Sequence, residues 1–209
     1  MTSHRLAALL EAAARGTFAE PDGRVEVLPP PPGRAMAVVA FTAHHVIAAD
    51  VPEQWVREML PEDDLLAPLS PRFLAALGAR LGRRDDGVDV LLAAAGRDGR
   101  PALVETDAAV QSRFVRAHAH REDVRAYTAE GGGAVVTLGR GLALRTEVSV
   151  EVDPDARGRG LASQALVEAR RLVGPNAVVF AQVAPGNAAS LRAFLRAGFE
   201  PIGSEALFF

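Results

Sequence analysis

The sequence predicts a mixed α/β fold of the α+β kind, with strands and helices interspersed along the chain. Three observations predict it. Residues 146–152 alternate Val148, Val150 and Val152 with Glu147, Ser149 and Glu151, the period of a half-buried strand. From Leu161 the apolar residues fall at Leu161, Ala165, Leu166, Ala169, Leu172 and Val173, which is helical spacing. Continuous apolar runs at 88–95 and 178–183 read as buried strands set among such helices.

Taken in order, Leu6, Leu9, Leu10 and Ala13 give a short amphipathic helix ending near Gly16, and 25–28 reads as a strand. Pro29 to Pro32 is a stiff spacer. Residues 35–41 and 45–49 read as paired strands. Asp50 followed by Glu53 has the form of a capping box before Trp55, Val56 and Met59. Ser70-Pro71 starts a helix whose buried stripe is Phe73, Leu74, Leu77 and Leu81. Residues 82–87 form a charged turn into the strand 88–95. Asp98-Gly99 has the chemistry of a hairpin turn into a strand at 102–105. Asp107 would cap a helix bearing Val110, Phe114, Val115 and His118 on one face. Strands follow at 124–128, 134–138 and 146–152, then the helix 161–173, the strand 178–183, a helix after Asn187 and a last strand pair within 200–209.

Composition excludes several function classes. With 209 residues, 49% of them hydrophobic, the chain can bury a substantial core. A net charge of −3 is no nucleic-acid footprint. Cysteine and lysine are both absent, which removes disulfides, thiolate metal sites, a Cys nucleophile and a Schiff-base Lys. No metal site is expected from the five scattered histidines. Leu6 to Leu10 is too short for a signal peptide, and no run approaches the ~20 apolar residues of a membrane span. The expectation is a cytoplasmic protein, and the Ala, Arg and Gly usage suggests a GC-rich bacterial genome.

The chemistry concentrates between the strand 146–152 and the helix 161–173. Asp153-Pro154 stops the strand, and Arg157-Gly158-Arg159-Gly160-Leu161-Ala162 turns into the helix. Two glycines without Cβ, unpaired N–H groups at a helix start and two arginines make an anion site suited to a pyrophosphate. A Walker A loop needs a lysine. A dinucleotide fingerprint needs Gly or Ala where Ser163 stands, and an acid after the following strand.

Arg157-x-x-Gly160-x-Ala162 after a strand ending Val152-Asp153-Pro154 resembles the pyrophosphate loop of the Gcn5-related N-acetyltransferases (GNAT). Downstream, the run from Asn187 through Ser190, Leu191, Phe194 and Arg196 to Gly198-Phe199 resembles the same family's next helix. The resemblance covers residues 123–209. It implies an acyl-CoA N-acyltransferase (GNAT) fold, a mixed central sheet flanked by helices with an extended N-terminal α/β region, in which 1–122 supplies the extension and the first part of the fold and 123–209 the acetyl-CoA-binding half. It also implies acetyl-CoA as co-substrate. The pantetheine would lie along the strand at Val150 and Val152, and the pyrophosphate against Arg157, Gly158, Arg159, Gly160, Leu161 and Ala162. Asn187 and Ser190 would stand near the cofactor arm, and each also reads as a helix cap. Phe194 stands where the family often has a Tyr that protonates the leaving thiolate.

Three residues are candidates for the proton chemistry. Glu151 and Glu147 share one face of the strand, where either could serve as base or as a solvent-facing acid. Tyr127 is the only Tyr of the chain and reads first as a half-buried packing residue. The expected function is transfer of an acetyl group from acetyl-CoA to a primary amine of an unidentified small molecule or peptide, by direct attack in a ternary complex. The alternative is an acetyl-CoA-binding sensor of the same fold with weak or no activity, which Phe194 would support. No nucleic-acid or membrane partner is expected. The apolar end Leu207-Phe208-Phe209 could pack across a homodimer.

Overall fold

The computed structural model describes residues 3–61, 64–107 and 112–209. The helices are α1 (Arg5–Ala14), α2 (Glu53–Met59), α3 (Pro71–Leu81), α4 (Ser112–His120), α5 (Leu161–Val173) and α6 (Ala188–Arg196). The strands are β1 (Val25–Leu28), β2 (Met36–Phe41), β3 (His44–Ala48), β4 (Asp85–Ala95), β5 (Leu103–Thr106), β6 (Glu122–Ala129), β7 (Ala134–Arg140), β8 (Thr146–Val152), β9 (Val178–Val183) and β10 (Glu200–Phe208). They form one mixed sheet in the order β1-β3-β2-β10-β4-β9-β8-β7-β6-β5. Among the described residues, only β1 with β3 and β8 with β9 pair in parallel.

The alternation of β4 shows how the layers form. Leu91 and Ala93 point to one face, where Leu6, Leu10 and Ala13 of α1 close a core with Val39 and Phe180. Leu92 and Ala94 point to the other face, into a core with Ala165, Leu166 and Ala169 of α5 and Phe194 of α6. Further along that face, Val56 of α2 and Phe73, Leu74 and Leu77 of α3 pack on Val38, Ile47, Ala206 and Phe208. Helix α4 lies against β6, β7 and β8. Helices α1, α2, α3 and α5 thus bury the apolar stripe that their spacing announces, whereas α4 does not: Val115 is 55% exposed, His118 is exposed, Phe114 is half-buried, and Ala117 is the residue turned to the sheet.

Much of the expected order is found, including α5 and β9 with the expected limits and the Ser70 cap, whose Oγ accepts from Phe73 N. Four further expectations are corrected. The Asp98-Gly99 hairpin does not form. β4 is already flanked by β10 and β9, Gly96 and Arg97 bond to Ala177 and Arg170, and β5 pairs with β6 at the far edge. The Asp50/Glu53 capping box is absent, because the helix begins after an extended Pro52 that offers no side-chain cap. Residues 200–208 form one strand with two register shifts, not a pair. β10 is therefore an inner strand and Phe208 is fully buried, so this segment offers no edge for a dimer. β4 begins at Asp85, inside the expected turn 82–87. Val110, expected on a helix face, lies outside the described residues.

The sheet runs unbroken past the expected boundary at 122/123, which falls at the start of β6. No helix among the described residues is long and apolar enough to cross a membrane.

Candidate active site

β8 is paired with β7 along its whole length, but with β9 at a single position, Glu147↔Phe180. Beyond it the two parallel strands part, and the β9-facing edge of residues 148–152 has no ladder partner. The chain then makes a 3-10 turn (Pro154–Ala156) and enters α5 through the glycine loop. Gly158 and Gly160 have φ of +77° and +80°, the left-handed region that glycine reaches without strain. The space that a Cβ would occupy at either is empty, so the backbone can be approached from outside. Gly160 caps α5 and supplies no capping side chain, so the first N–H groups of the helix, at its positive end, stay available to a ligand. Arg157 is tethered to the strand end by Nε donating to Val152 O at 3.3 Å.

This loop forms one wall of a cavity of about 720 Å³. Val150, Val152, Arg157, Gly158, Gly160, Leu161 and Ala162 line it from β8 and α5, and Asn187 and Ser190 line it from α6. Four arginines (Arg113, Arg157, Arg192 and Arg196) face one carboxylate, Glu151, so the lining is positive. Arg159 is exposed and lies outside the lining. Asn187 caps α6, its Oδ1 accepting from Ser190 N at 3.1 Å. The cavity meets a second one, of about 240 Å³, in the wedge between β8 and β9. Val150, Asn187 and Ser190 belong to both, and Phe194 lines the wedge. The Phe194 ring is buried, 5.0 Å from Phe199 in an edge-to-face arrangement.

The three candidates for proton transfer fare differently. Glu151 stands at the cavity, but its carboxylate accepts from Ser112 Oγ at 3.1 Å and from Arg113 N at 3.0 Å, tying β8 to α4. Glu147 is fully buried, which excludes a solvent-facing role. Its Oε1 accepts from Arg145 Nε and its Oε2 from Arg121 Nε, both at 2.8 Å. Arg145 in turn grips Glu205 with two nitrogens. Burial alone would raise the Glu147 carboxyl, but Arg145 and Arg121 outweigh it and hold it below its ordinary value. A carboxylate so clamped is a poor base. Gly141 belongs to this clamp, because any Cβ there would strike the Glu147 carboxylate. Tyr127 packs partly buried against the α5-side core and lines none of the cavities described here.

A residue that the sequence did not single out is better placed. Asp89 on β4 lines the wedge and also a third cavity, of about 90 Å³, beyond it on the α4 side. Burial first, and then the neighbouring charge of Glu205, push its carboxyl up to about 6. Arg116 and Arg113 oppose this shift and Asp86 adds to it. An acid that titrates near neutrality, in a cleft beside an anion site, is suited to accept a proton. A single Asp inside the run Asp85-Asp86-Gly87-Val88-Asp89 carries no local sign of this.

The model of the acetyltransferase (GNAT) family matches residues 97–199. No curated protein matches the chain at a significant level. Among solved structures, a GCN5-related N-acetyltransferase from Kribbella flavida is similar at 19% identity over 65% of this chain and 62% of its own, with a TM-score of 0.40. An acetyltransferase from the GNAT family from Colwellia psychrerythraea is similar at 13% identity over 66% and 62%, TM-score 0.40. A tandem GNAT protein from the clavulanic acid biosynthesis pathway, in a form without AcCoA, is similar at 13% identity over 83% and 63%, TM-score 0.39. The chain spans less than two thirds of the length of each of these three. Residues 97–199, which hold the glycine loop, the strand wedge and the Asn187 helix, are a domain of the acetyltransferase (GNAT) family.

Proposed function

We propose that the protein transfers an acetyl group from acetyl-CoA to the primary amine of a small molecule or peptide, by direct attack in a ternary complex. The observation that carries this is the parting of β8 and β9 beside an open, positive glycine loop. The residues fit the co-substrate. Helix-start N–H groups and Arg157 suit its pyrophosphate, and the unpaired edge of Val150 and Val152 suits the pantetheine amides. Bound there, acetyl-CoA supplies an activated acyl carbon.

The chain's own part is to place the amine, keep it neutral and take its proton. Asp89, ionised above about pH 6, takes the proton as the amine nitrogen forms its bond to the acyl carbon and the carbon–sulfur bond breaks. The thiolate leaves with the electron pair and is protonated from solvent. With no cysteine in the chain, a cysteine acetyl-enzyme route is closed.

A second reading is an acetyl-CoA-binding sensor with little turnover. Phe194 favours it, because a buried ring against Phe199 offers no proton to the thiolate. Calorimetric titration with acetyl-CoA and with free CoA, followed by thioester consumption on an amine panel, separates the two. Binding with turnover on any amine supports the enzyme. Binding without turnover favours the sensor. No binding overturns both.

A further inference from the structure

The third cavity, behind Asp89, is lined by a matched set of charges: Asp86, Asp89 and Glu147 against Arg113, Arg116 and Arg121. It shares Asp89, Arg113, Ser149 and Gln182 with the wedge, so the two are continuous. Its walls also carry unmet hydrogen-bonding groups. Among the described residues, the buried atoms Arg121 Nη1, Gln182 Nε2 and His120 Nδ1 have no partner. An unmet buried donor loses its hydration without a replacement, so a cluster of them at one cavity calls for an explanation.

The two side chains that bear these donors are fixed in place. Arg121 gives Nε to Glu147 at 2.8 Å and Nη2 to the Gln182 Oε1 at 3.1 Å. That leaves Arg121 Nη1 and Gln182 Nε2, on two residues that line the cavity, as groups that can only donate, although the Gln182 amide also faces the Glu147 carboxylate and helps to hold it ionised. Fixed donors on two bonded neighbours, one of them a guanidinium, suit an acceptor-only anion such as a carboxylate. The Glu205–Arg145–Glu147 chain behind Arg121 has the form of a support that holds it in one orientation.

We propose that the acceptor is a small amine that also carries a carboxylate, an amino acid or a close analogue, held by Arg121 and Gln182 with its amino group toward Asp89. This rests on the acetyl-transfer reading above and names the substrate class of that same site. A neutral lining of mixed sign suits a zwitterion better than a polycation or a polyanion. Cavities of about 90 and 240 Å³ suit a small molecule better than a protein surface. Asp89, ionised at neutral pH, attracts the ammonium form, which gives its first proton to solvent, and then takes the second proton as the neutral amine attacks.

The test uses the full chain and matched amine pairs: alanine with ethylamine, phenylalanine with phenethylamine, lysine with cadaverine, and β-alanine with 2-aminoethylphosphonate. CoA binding is measured first by calorimetry. Thiol release from acetyl-CoA is then followed across the panel and the common amino acids. The expected result is at least ~100-fold higher kcat/KM for one or more amino acids than for the decarboxylated partner, because unmet donors penalise an analogue that lacks the acceptor. Gln182→Glu keeps the shape but turns the donor into an acceptor, and it erases that preference.

Equal or better turnover of the decarboxylated amines overturns the proposal, as does a preference for the phosphonate. If no amine is turned over, calorimetry with CoA present decides: binding by an amino acid but not by its decarboxylated partner supports the proposal, and no binding by any amino acid overturns it. Failure of CoA itself to bind removes the acetyl-transfer reading instead, and this proposal with it.

Discussion

The glycine loop 157–162 and the cavity behind Asp89 are two ends of one connected cleft, and they are built in opposite ways. The loop is local. Its anion-binding character comes from consecutive residues whose backbone does the work, with Gly158 and Gly160 left-handed and their outer faces open. The cavity is assembled at long range: Asp89 comes from β4, Arg113 and Arg116 from α4, Arg121 from just after it, Glu147 and Ser149 from β8 and Gln182 from β9. The loop's function should therefore fail through changes of backbone or charge within a few residues. The cavity depends on a buried scaffold and should fail through changes far from any ligand.

The largest effect should come from that scaffold. Glu147→Ala leaves Arg145 and Arg121 without their shared carboxylate in a buried setting, and it should lower unfolding free energy by ~3–5 kcal/mol. Urea unfolding checks this. A loss below ~1 kcal/mol would mean that water replaces the carboxylate and that the clamp is not a scaffold. Next comes the loop. Arg157→Ala with Gly160→Asp removes a cation, strains a left-handed backbone and puts a carboxylate where the anion is expected. Acetyl-CoA affinity should fall ~100-fold or more, while a small melting-temperature change keeps the loss local. Unchanged affinity would remove the loop from the site.

Asp89→Asn should act differently from both. Turnover should fall ~100-fold or more, and the acid limb of the pH–rate profile near 6 should vanish. Stability should move the other way. The folded carboxyl sits above its ordinary value near 3.8, so the folded state binds this proton more tightly than the unfolded chain. The ionised group therefore costs stability above about pH 6, and the cost fades as pH falls toward 4. The groups that face it, Glu205, Asp86, Arg116 and Arg113, set that balance. The variant should melt roughly 1–3 °C higher at pH 7.5, with the gain gone by pH 4. A variant that is active, or less stable at pH 7.5, would deny Asp89 its role.

The same contrast explains what the sequence disclosed. The β8–loop–α5 unit was legible because period-2 and period-3.6 spacing adjoin in one run, and α6 because Asn187 opens it as a cap. Residues 200–208 form one strand where a pair was expected, because the chain takes up its irregularities as two register shifts against β4 rather than as a turn. Glu147 and Glu151 were legible as acids on one strand face. Their environments were not, because the arginines around Glu147 and the α4 groups on Glu151 come from other elements. Asp89 is the extreme case: its near-neutral titration arises from burial and from Glu205 on β10, over a hundred residues away in sequence.

Phe194→Tyr should have the smallest effect, and it tests the join between the two ends. The ring is buried against Phe199 while its residue lines the wedge, so a hydroxyl can enter the cavity without leaving the core. The stability change should stay below ~1.5 kcal/mol, as for a shape-conserving swap with room for its polar atom. Turnover should change less than ~3-fold, because a thiol with pKa near 8.5 leaves without an acid. That outcome would mean that the chemistry is governed at the Asp89 end, by deprotonation of the amine. A gain of tenfold or more, about 1.4 kcal/mol of transition-state stabilisation, would place the limit at the thiolate. It would also favour the sensor reading, since one hydroxyl would then separate a weak catalyst from a competent one.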